Sequence, residues 1–235
     1  MSHREQRNPA PLVSVIIPVY NGERHLASTL ESVVAQDYRP IEILVIDDGS
    51  EDGSAGVAQG FPDVRYFHQH NQGPGVARNL GLENARGELV AFLDADDIWT
   101  PNKLRLQVGY LLDHPGTGIV FARQRIHLDP GVAKPSWLKD ELLENDSVGY
   151  GVCTLVAWKT VFDQVGRFDP EFVLAEDADW FLRAKDAGIP VGVVPEVLLH
   201  QRIHGSNTRY RTAANQPLLL KAIRASVERQ RKPRT

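Results

Sequence analysis

The chain is poor in sulfur: one cysteine, Cys153, and one methionine among 235 residues. A single cysteine excludes an intrachain disulfide and a zinc-binding cysteine cluster, and it favours a reducing, cytoplasmic setting. Cys153 lies in a mixed apolar stretch, where it is expected to pack as a small buried hydrophobe rather than act as a nucleophile. Long apolar runs are also missing. None approaches the roughly 20 residues needed to cross a bilayer. The stretch from Met1 to Pro11 is polar and has no apolar core of the signal-peptide kind. Positive charge is not in excess either. There are 26 Lys and Arg against 30 Asp and Glu, a formal net charge of −4, which argues against a nucleic-acid partner. Internal repeats and low-complexity segments are absent. The remaining composition, 42% hydrophobic and 24% charged, is that of a globular chain long enough to bury one large core or two fused halves.

Val13 to Ile17, Ile41 to Ile46 and Leu89 to Leu93 are short, nearly all-apolar runs. Such runs suit strands covered on both faces, as in parallel sheets. Helical spacing falls between them: Leu26, Leu30, Val33 and Val34; then Val76, Leu80 and Leu82; then Leu104, Val108, Leu111 and Leu112. Pro101 opens the last of these, with Thr100 as the expected N-cap. Alternating strands and helices predict an α/β layered fold. After about residue 115 the rhythm changes. Gly118 to Ile126 reads as a strand, and Trp158 to Val165 and Asp177 to Ala187 read as helices. Val191 to Leu199 reads as a strand that Pro195 breaks into two pieces or confines to an edge. Leu128 to Gly151 is polar and irregular, the character of a lid or binding loop. Gln216 to Thr235 predicts an amphipathic helix with Leu219, Ile223 and Val227 in register. It carries Lys221, Arg224, Arg229, Arg231, Lys232 and Arg234 against one acid, Glu228. Two readings of this end stay open: a solvated helix with a basic tail, or a peripheral contact with anionic lipid at the inner face of a membrane.

The informative feature is where the acids fall. Asp47-Asp48-Gly49-Ser50 follows one apolar run directly, and Asp94-Ala95-Asp96-Asp97 follows another. Both clusters therefore belong at the carboxyl ends of buried strands, the edge where ligands bind in open α/β sheets. Crowded carboxylates repel unless a cation or hydrogen-bond donors compensate. Asp94-x-Asp96 offers hard oxygen ligands, which suit Mg²⁺ or Mn²⁺. The competing reading is a solvated turn with capping aspartates, and Asp97 fits that in part. Between the clusters lies Asn71 to Arg78. There Gly75 allows close backbone approach, and Arg78 could reach a phosphate or shield the acids.

These residues, in this order, resemble the family 2 glycosyltransferases with the GT-A fold. The resemblance runs from about residue 12 to 210. It is carried by Val15 through Glu23, Val45 through Ser50, Asn71 through Asn79, Phe92 through Trp99, Gly166 through Asp169, Glu176 through Trp180 and Arg202-Ile203-His204. It implies a Rossmann-like sheet, mostly parallel and flanked by helices, with a smaller acceptor-side part. The expected division is a nucleotide-sugar half over 1–120, an acceptor and catalytic-base half over 121–215, and a basic tail over 216–235. By the same resemblance, Pro18, Tyr20, Asn21 and Glu23 form the first nucleotide loop, with the Tyr20 ring on the base. Asp48 meets a uracil-like base edge, Arg78 contacts the donor, and Asp94 serves the ribose or metal side. Asp96 is the direct metal ligand, and His204 meets the metal or diphosphate. Asp177 is the catalytic base, with Glu176 beside it. Without the resemblance, the acids from Glu176 to Asp179 read as the exposed start of a helix.

The implied reaction is inverting transfer of a sugar from a nucleotide diphosphate donor, a UDP-sugar, to a hydroxyl of a glycan or lipid-linked acceptor, in cell-surface polysaccharide or glycoconjugate synthesis. The cofactor is Mn²⁺ or Mg²⁺. No Gln-x-x-Arg-Trp run is present, which favours single transfer over polymer extension. Gly73-Pro74-Gly75 starts like a dinucleotide fingerprint, but Arg78 stands where a small residue is required. A phosphohydrolase built on Asp94 and Asp96, and a sugar-nucleotide module without catalysis, are the remaining alternatives.

Overall fold

A computed structural model describes residues 10–135, 138–173, 175–205 and 212–231. One curled mixed sheet organises them. Its first half holds β1 (Val13–Val19), β2 (Ile41–Asp47), β3 (Val64–His68) and β4 (Leu89–Phe92), in spatial order β3-β2-β1-β4 and all parallel. All seven residues of β1 are buried, as are all four of β4. Their β-branched, uninterrupted apolar character matches strands covered on both faces. Three helices carry the crossovers: α1 (Glu23–Val34), α2 (Ser54–Gln59) and α3 (Pro74–Asn84). Pro74 lies in the first turn of α3, where its missing N–H costs nothing. Gly81 lets α3 lie flat on the sheet, since a Cβ there would meet Ile16 Cγ2 at 2.3 Å.

The second half continues the same sheet. β5 (Ile98–Trp99) and α4 (Lys103–Asp113) lead to β6 (Ile119–Leu128). Then follow α5 (Asp140–Glu144), β7 (Ser147–Val148), β8 (Val156–Trp158), α6 (Lys159–Val165), α7 (Glu176–Asp186), β9 (Val191–Ile203) and α8 (Thr212–Arg231). β8 inserts antiparallel between β4 and β6, and β9 runs parallel to β6, so the order continues β4-β8-β6-β9-β5. The expected α/β fold is therefore present, and one continuous sheet joins the two halves.

Several details differ from the sequence reading. Val191 to Ile203 is one 13-residue strand lying between β6 and β5, not two pieces or an edge. Its register against β6 jumps from Val194 to Val197. Pro195 and Glu196 bulge outward and are exposed, so the missing proline N–H costs no ladder bond. α4 starts after Asn102 rather than Thr100, whose hydroxyl donates to Asn102 Oδ1 at 2.8 Å. Leu112 and Val34, expected on inward faces, are 51% and 40% exposed. The helix expected from Gln216 begins at Thr212, and residues 232–235 lie outside the described set.

Two contacts link the halves near the strand ends. Phe92, Phe162, Phe168, Trp180 and Phe181 form an aromatic cluster, with Phe162 stacked on Trp180 at 4.4 Å between centroids. Such pairs add about 0.5–1.5 kcal/mol each beyond their buried area. The Asn79 amide donates to Phe168 O at 2.8 Å and accepts from Phe168 N–H at 3.0 Å. The aromatic cluster places α6 and α7 against the end of β4, and the Asn79 bonds tie α3 to the segment between α6 and α7. Lys103 is fully buried, with its amine 4.1 Å over the Trp99 ring.

Candidate active site

A cavity of about 710 Å³ opens at the carboxyl edge of the sheet. Pro18, Tyr20 and Asn21 reach it from the end of β1, Asp48 from β2, Asp94 and Asp96 from β4, Asp177 from α7, and His204 from just beyond β9. Arg78 lines it from α3. Nine of the ten residues singled out from the sequence thus surround one space. Glu23 does not line it. Its carboxylate accepts from Gly53 N–H at 3.0 Å, and its own N–H donates to Asp52 at 3.0 Å. Asn21 joins the same latch: its N–H donates to Ser50 Oγ at 2.9 Å, and its Oδ1 accepts from Glu51 N–H at 2.8 Å. Asn21 takes φ 51°, a left-handed conformation asparagine tolerates better than most residues. Tyr20 is left half-exposed beside the latch, 51% accessible.

The two adjacent aspartates at the end of β2 have different roles. Asp47 accepts from Ser50 N–H and the Tyr66 hydroxyl, both at 2.7 Å. Burial, together with that hydrogen bond, pushes the Tyr66 hydroxyl up to about 12. Asp48 is buried and accepts from the Gln69 amide at 2.7 Å, Gln72 N–H at 2.9 Å and Gly73 N–H at 2.8 Å. It therefore fastens the 69–73 loop across the cavity floor.

Arg78 is 4% exposed and bridges two acids, donating to Asp94 and Glu176 at 2.7 Å each. Both ends of its guanidinium are committed to protein carboxylates. Burial holds the Glu176 carboxyl above the ordinary range; Arg78 opposes the rise and the neighbouring Asp177 adds to it. Glu176, Asp177 and Asp179 stand in the first turn of α7, where the helix dipole favours negative charge. Asp179 turns away from the cavity and pairs with Arg183 at 2.7 Å. Asp97 is buried and serves the scaffold: it accepts from Arg202 N–H at 2.9 Å, and its carbonyl accepts from Thr29.

On the opposite wall, His204 Nε2 lies 2.8 Å from Asp96 Oδ2. The two are hydrogen-bonded to each other, both line the cavity, and a carboxylate and an imidazole are donor types that would suit Mg²⁺ or Mn²⁺. A second group, Asp94, Asp97 and Cys153, brings its ligand-type atoms within 4.8 Å of one another. It fits a cation less well, because Arg78 already neutralises Asp94 and Asp97 accepts from Arg202. Cys153 is buried in the apolar core, as expected, and its sulfur also lies near these two acids.

Three residues here escaped the sequence reading. His25 packs its ring 4.6 Å from that of His204 and accepts from Arg202 on Nδ1. Burial and then the Arg202 charge hold His25 below its ordinary pKa, in keeping with a neutral ring. Asp129 gathers Arg24 at 3.4 Å, Arg202 at 3.7 Å and His25 at 3.8 Å. No local pattern could reveal this, because His25 and Arg202 are 177 residues apart.

With this geometry in place, the relatives are informative. The sequence matches the family described as Glycosyl transferase family 2 over residues 14–166. The chain belongs to that family. It is 34% identical to an uncharacterized glycosyltransferase of Rickettsia typhi, covering 90% of this chain and 70% of the relative. A teichuronic acid biosynthesis glycosyltransferase of Bacillus subtilis, TuaG, so described putatively, is 35% identical over 60% of this chain and 61% of its own length. Among solved structures, S. aureus TarS with UDP-GlcNAc superposes with a TM-score of 0.75 at 20% identity, covering 92% of this chain and 66% of that one. Pyrobaculum calidifontis mannosyltransferase with GDP-Man and Mn²⁺ gives 0.71 at 20% identity, covering 95% and 66%. These two likenesses establish the GT-A fold. The chain spans about a third of some relatives, such as 34% of one from Rickettsia felis. Among the described residues, no helix is long and apolar enough to cross a membrane.

Proposed function

We propose that this chain transfers a glycosyl group, with inversion, from a UDP-sugar to a hydroxyl of a glycan or lipid-linked acceptor in polysaccharide or glycoconjugate synthesis. One observation carries the reading: acids and a histidine from four separate segments converge on one cavity large enough for a nucleotide sugar. The nucleotide-sugar complexes of TarS and the mannosyltransferase support it, as does the description of TuaG.

The roles are those the family resemblance implies, and the geometry supports them. The half-exposed Tyr20 ring offers a face for the base, and Asp48 shapes the floor beneath it through the loop it fastens. Asp96 and His204 would hold the divalent ion, which would supply positive charge to the departing diphosphate. Arg78 acts from below by fixing Asp94 and Glu176 at their cavity positions, which preorganises the site's charge. Asp177 takes the acceptor hydroxyl proton from the face opposite the leaving group, so attack at the anomeric carbon inverts it. Its neighbour Glu176 is tied to Arg78.

Titration with UDP and GDP, each with and without Mn²⁺, tests the donor side. Tight binding of UDP that needs the ion is expected. Metal-indifferent binding would remove Asp96 and His204 as ligands, and preference for GDP would replace the donor class.

A further inference from the structure

α8 packs one face on the body of the protein. Ala222 is fully buried with Phe172 and Ala175, Lys221 pairs with Glu171 at 2.6 Å, and Ser226 and Arg229 both bind Asp186. The opposite face is unusual. Leu219, Leu220, Ile223 and Val227 are 43%, 53%, 43% and 42% exposed. At helical spacing all four fall within an arc of about 100°. They form a stripe about 12 Å long. Arg224 and Arg231 border it, both exposed and with no ion-pair partner among the described residues. A chain of net charge −4 thus presents, on one helix, an apolar stripe edged by arginine.

We propose that the outer face of α8 docks on an anionic lipid surface. The stripe would enter the headgroup boundary while Arg224 and Arg231 meet lipid phosphates. Charge favours this occupant over a second copy of the chain. A two-fold contact sets the same patch against itself and would bring arginines of the two copies together. The inner face of α8 also packs against Phe172 and Ala175, directly before Glu176 and Asp177. Docking would therefore hold the acceptor side close to lipid. The docking claim does not depend on the transfer reading, and either can fail alone.

Flotation of the full chain with vesicles tests it. Vesicles of phosphatidylcholine containing phosphatidylglycerol should carry the protein at low salt, and phosphatidylcholine alone should not. Arg224→Gln with Arg231→Gln should weaken partition about fivefold per arginine and flatten its salt dependence. Leu220→Ser with Ile223→Ser should weaken it at least about tenfold. Both pairs are exposed, so an unchanged thermal midpoint should confirm folding. Equal partition into both vesicle types, or variants that float like the parent, would overturn the proposal. So would a parent that sediments as a dimer, fails to float, and becomes monomeric in the Leu220 and Ile223 variant.

Discussion

Replacing Arg78 with Met tests the internal frame of the site. The guanidinium spans Asp94 and Glu176 with two charge-assisted bonds of 2.7 Å. Its side chain is 5% exposed, against 8% for Glu176 and 27% for Asp94. Removing one partner of a buried ion pair typically costs 3–5 kcal/mol, because the charge left behind is desolvated. Asp94 retains some water, so the lower end, about 3 kcal/mol, is expected near pH 8. The pH dependence follows from Glu176. Its carboxyl is raised by burial, so the folded chain holds that proton more tightly than the unfolded chain. Its contribution is full below the ordinary 4.5 and is lost as pH rises through the folded value. Without Arg78 only a backbone hydrogen bond opposes the rise, so the window extends upward and the variant's deficit should be smaller at pH 5 than at pH 8. Denaturant unfolding of both proteins at the two pH values, without nucleotide, reads this directly. A loss below about 1 kcal/mol, or one that does not change with pH, would refute the reasoning. A double variant with Glu176→Gln should recover part of the loss, since only one charge then remains unpaired; simple additivity would argue against the bridge.

Asp177→Asn should keep nucleotide binding and abolish transfer, measured by isothermal titration and product formation; normal transfer would move the base elsewhere. Asp96→Asn should lose the Mn²⁺ dependence of UDP affinity, and an unchanged metal response would rule it out as ligand. Burial pushes the Lys103 amine down to about 7, and its Nζ has no hydrogen-bond partner among the described residues. The unfolded chain keeps that proton up to the ordinary 10.5, so stability should rise with pH between these values. Lys103→Met should flatten that slope and stabilise the protein at pH 7, and an equal slope in both would show the amine is charged in the fold. Gly81→Ala should cost about 1–3 kcal/mol in thermal or denaturant unfolding, because its methyl would press on Ile16. No measurable change would mean that α3 shifts freely.

The sequence marked the parts of the fold whose patterns are local. Apolar runs at Val13, Ile41 and Leu89 specified strands with both faces covered, and the acids directly after two of them announced the ligand edge. The short α2 and β3 were not read, because six and five residues carry too little period to stand out. Pro195 misled for a related reason: a proline looks like a break along the chain, but a bulge across the sheet absorbs it. Site membership was legible through motif order. The roles within the site were less so. Only packing across 98 residues commits Arg78 to Glu176, and only the meeting of α1, β6 and β9 assembles Arg24, His25, Asp129 and Arg202. Sequence alone thus determined which strands are buried and which acids stand at their ends, since apolar burial and turn chemistry are written in neighbouring residues. The tertiary structure decided which carboxylate faces which cation, because those partners are chosen by three-dimensional proximity in a low-dielectric interior, where charges cannot remain unpaired without large cost.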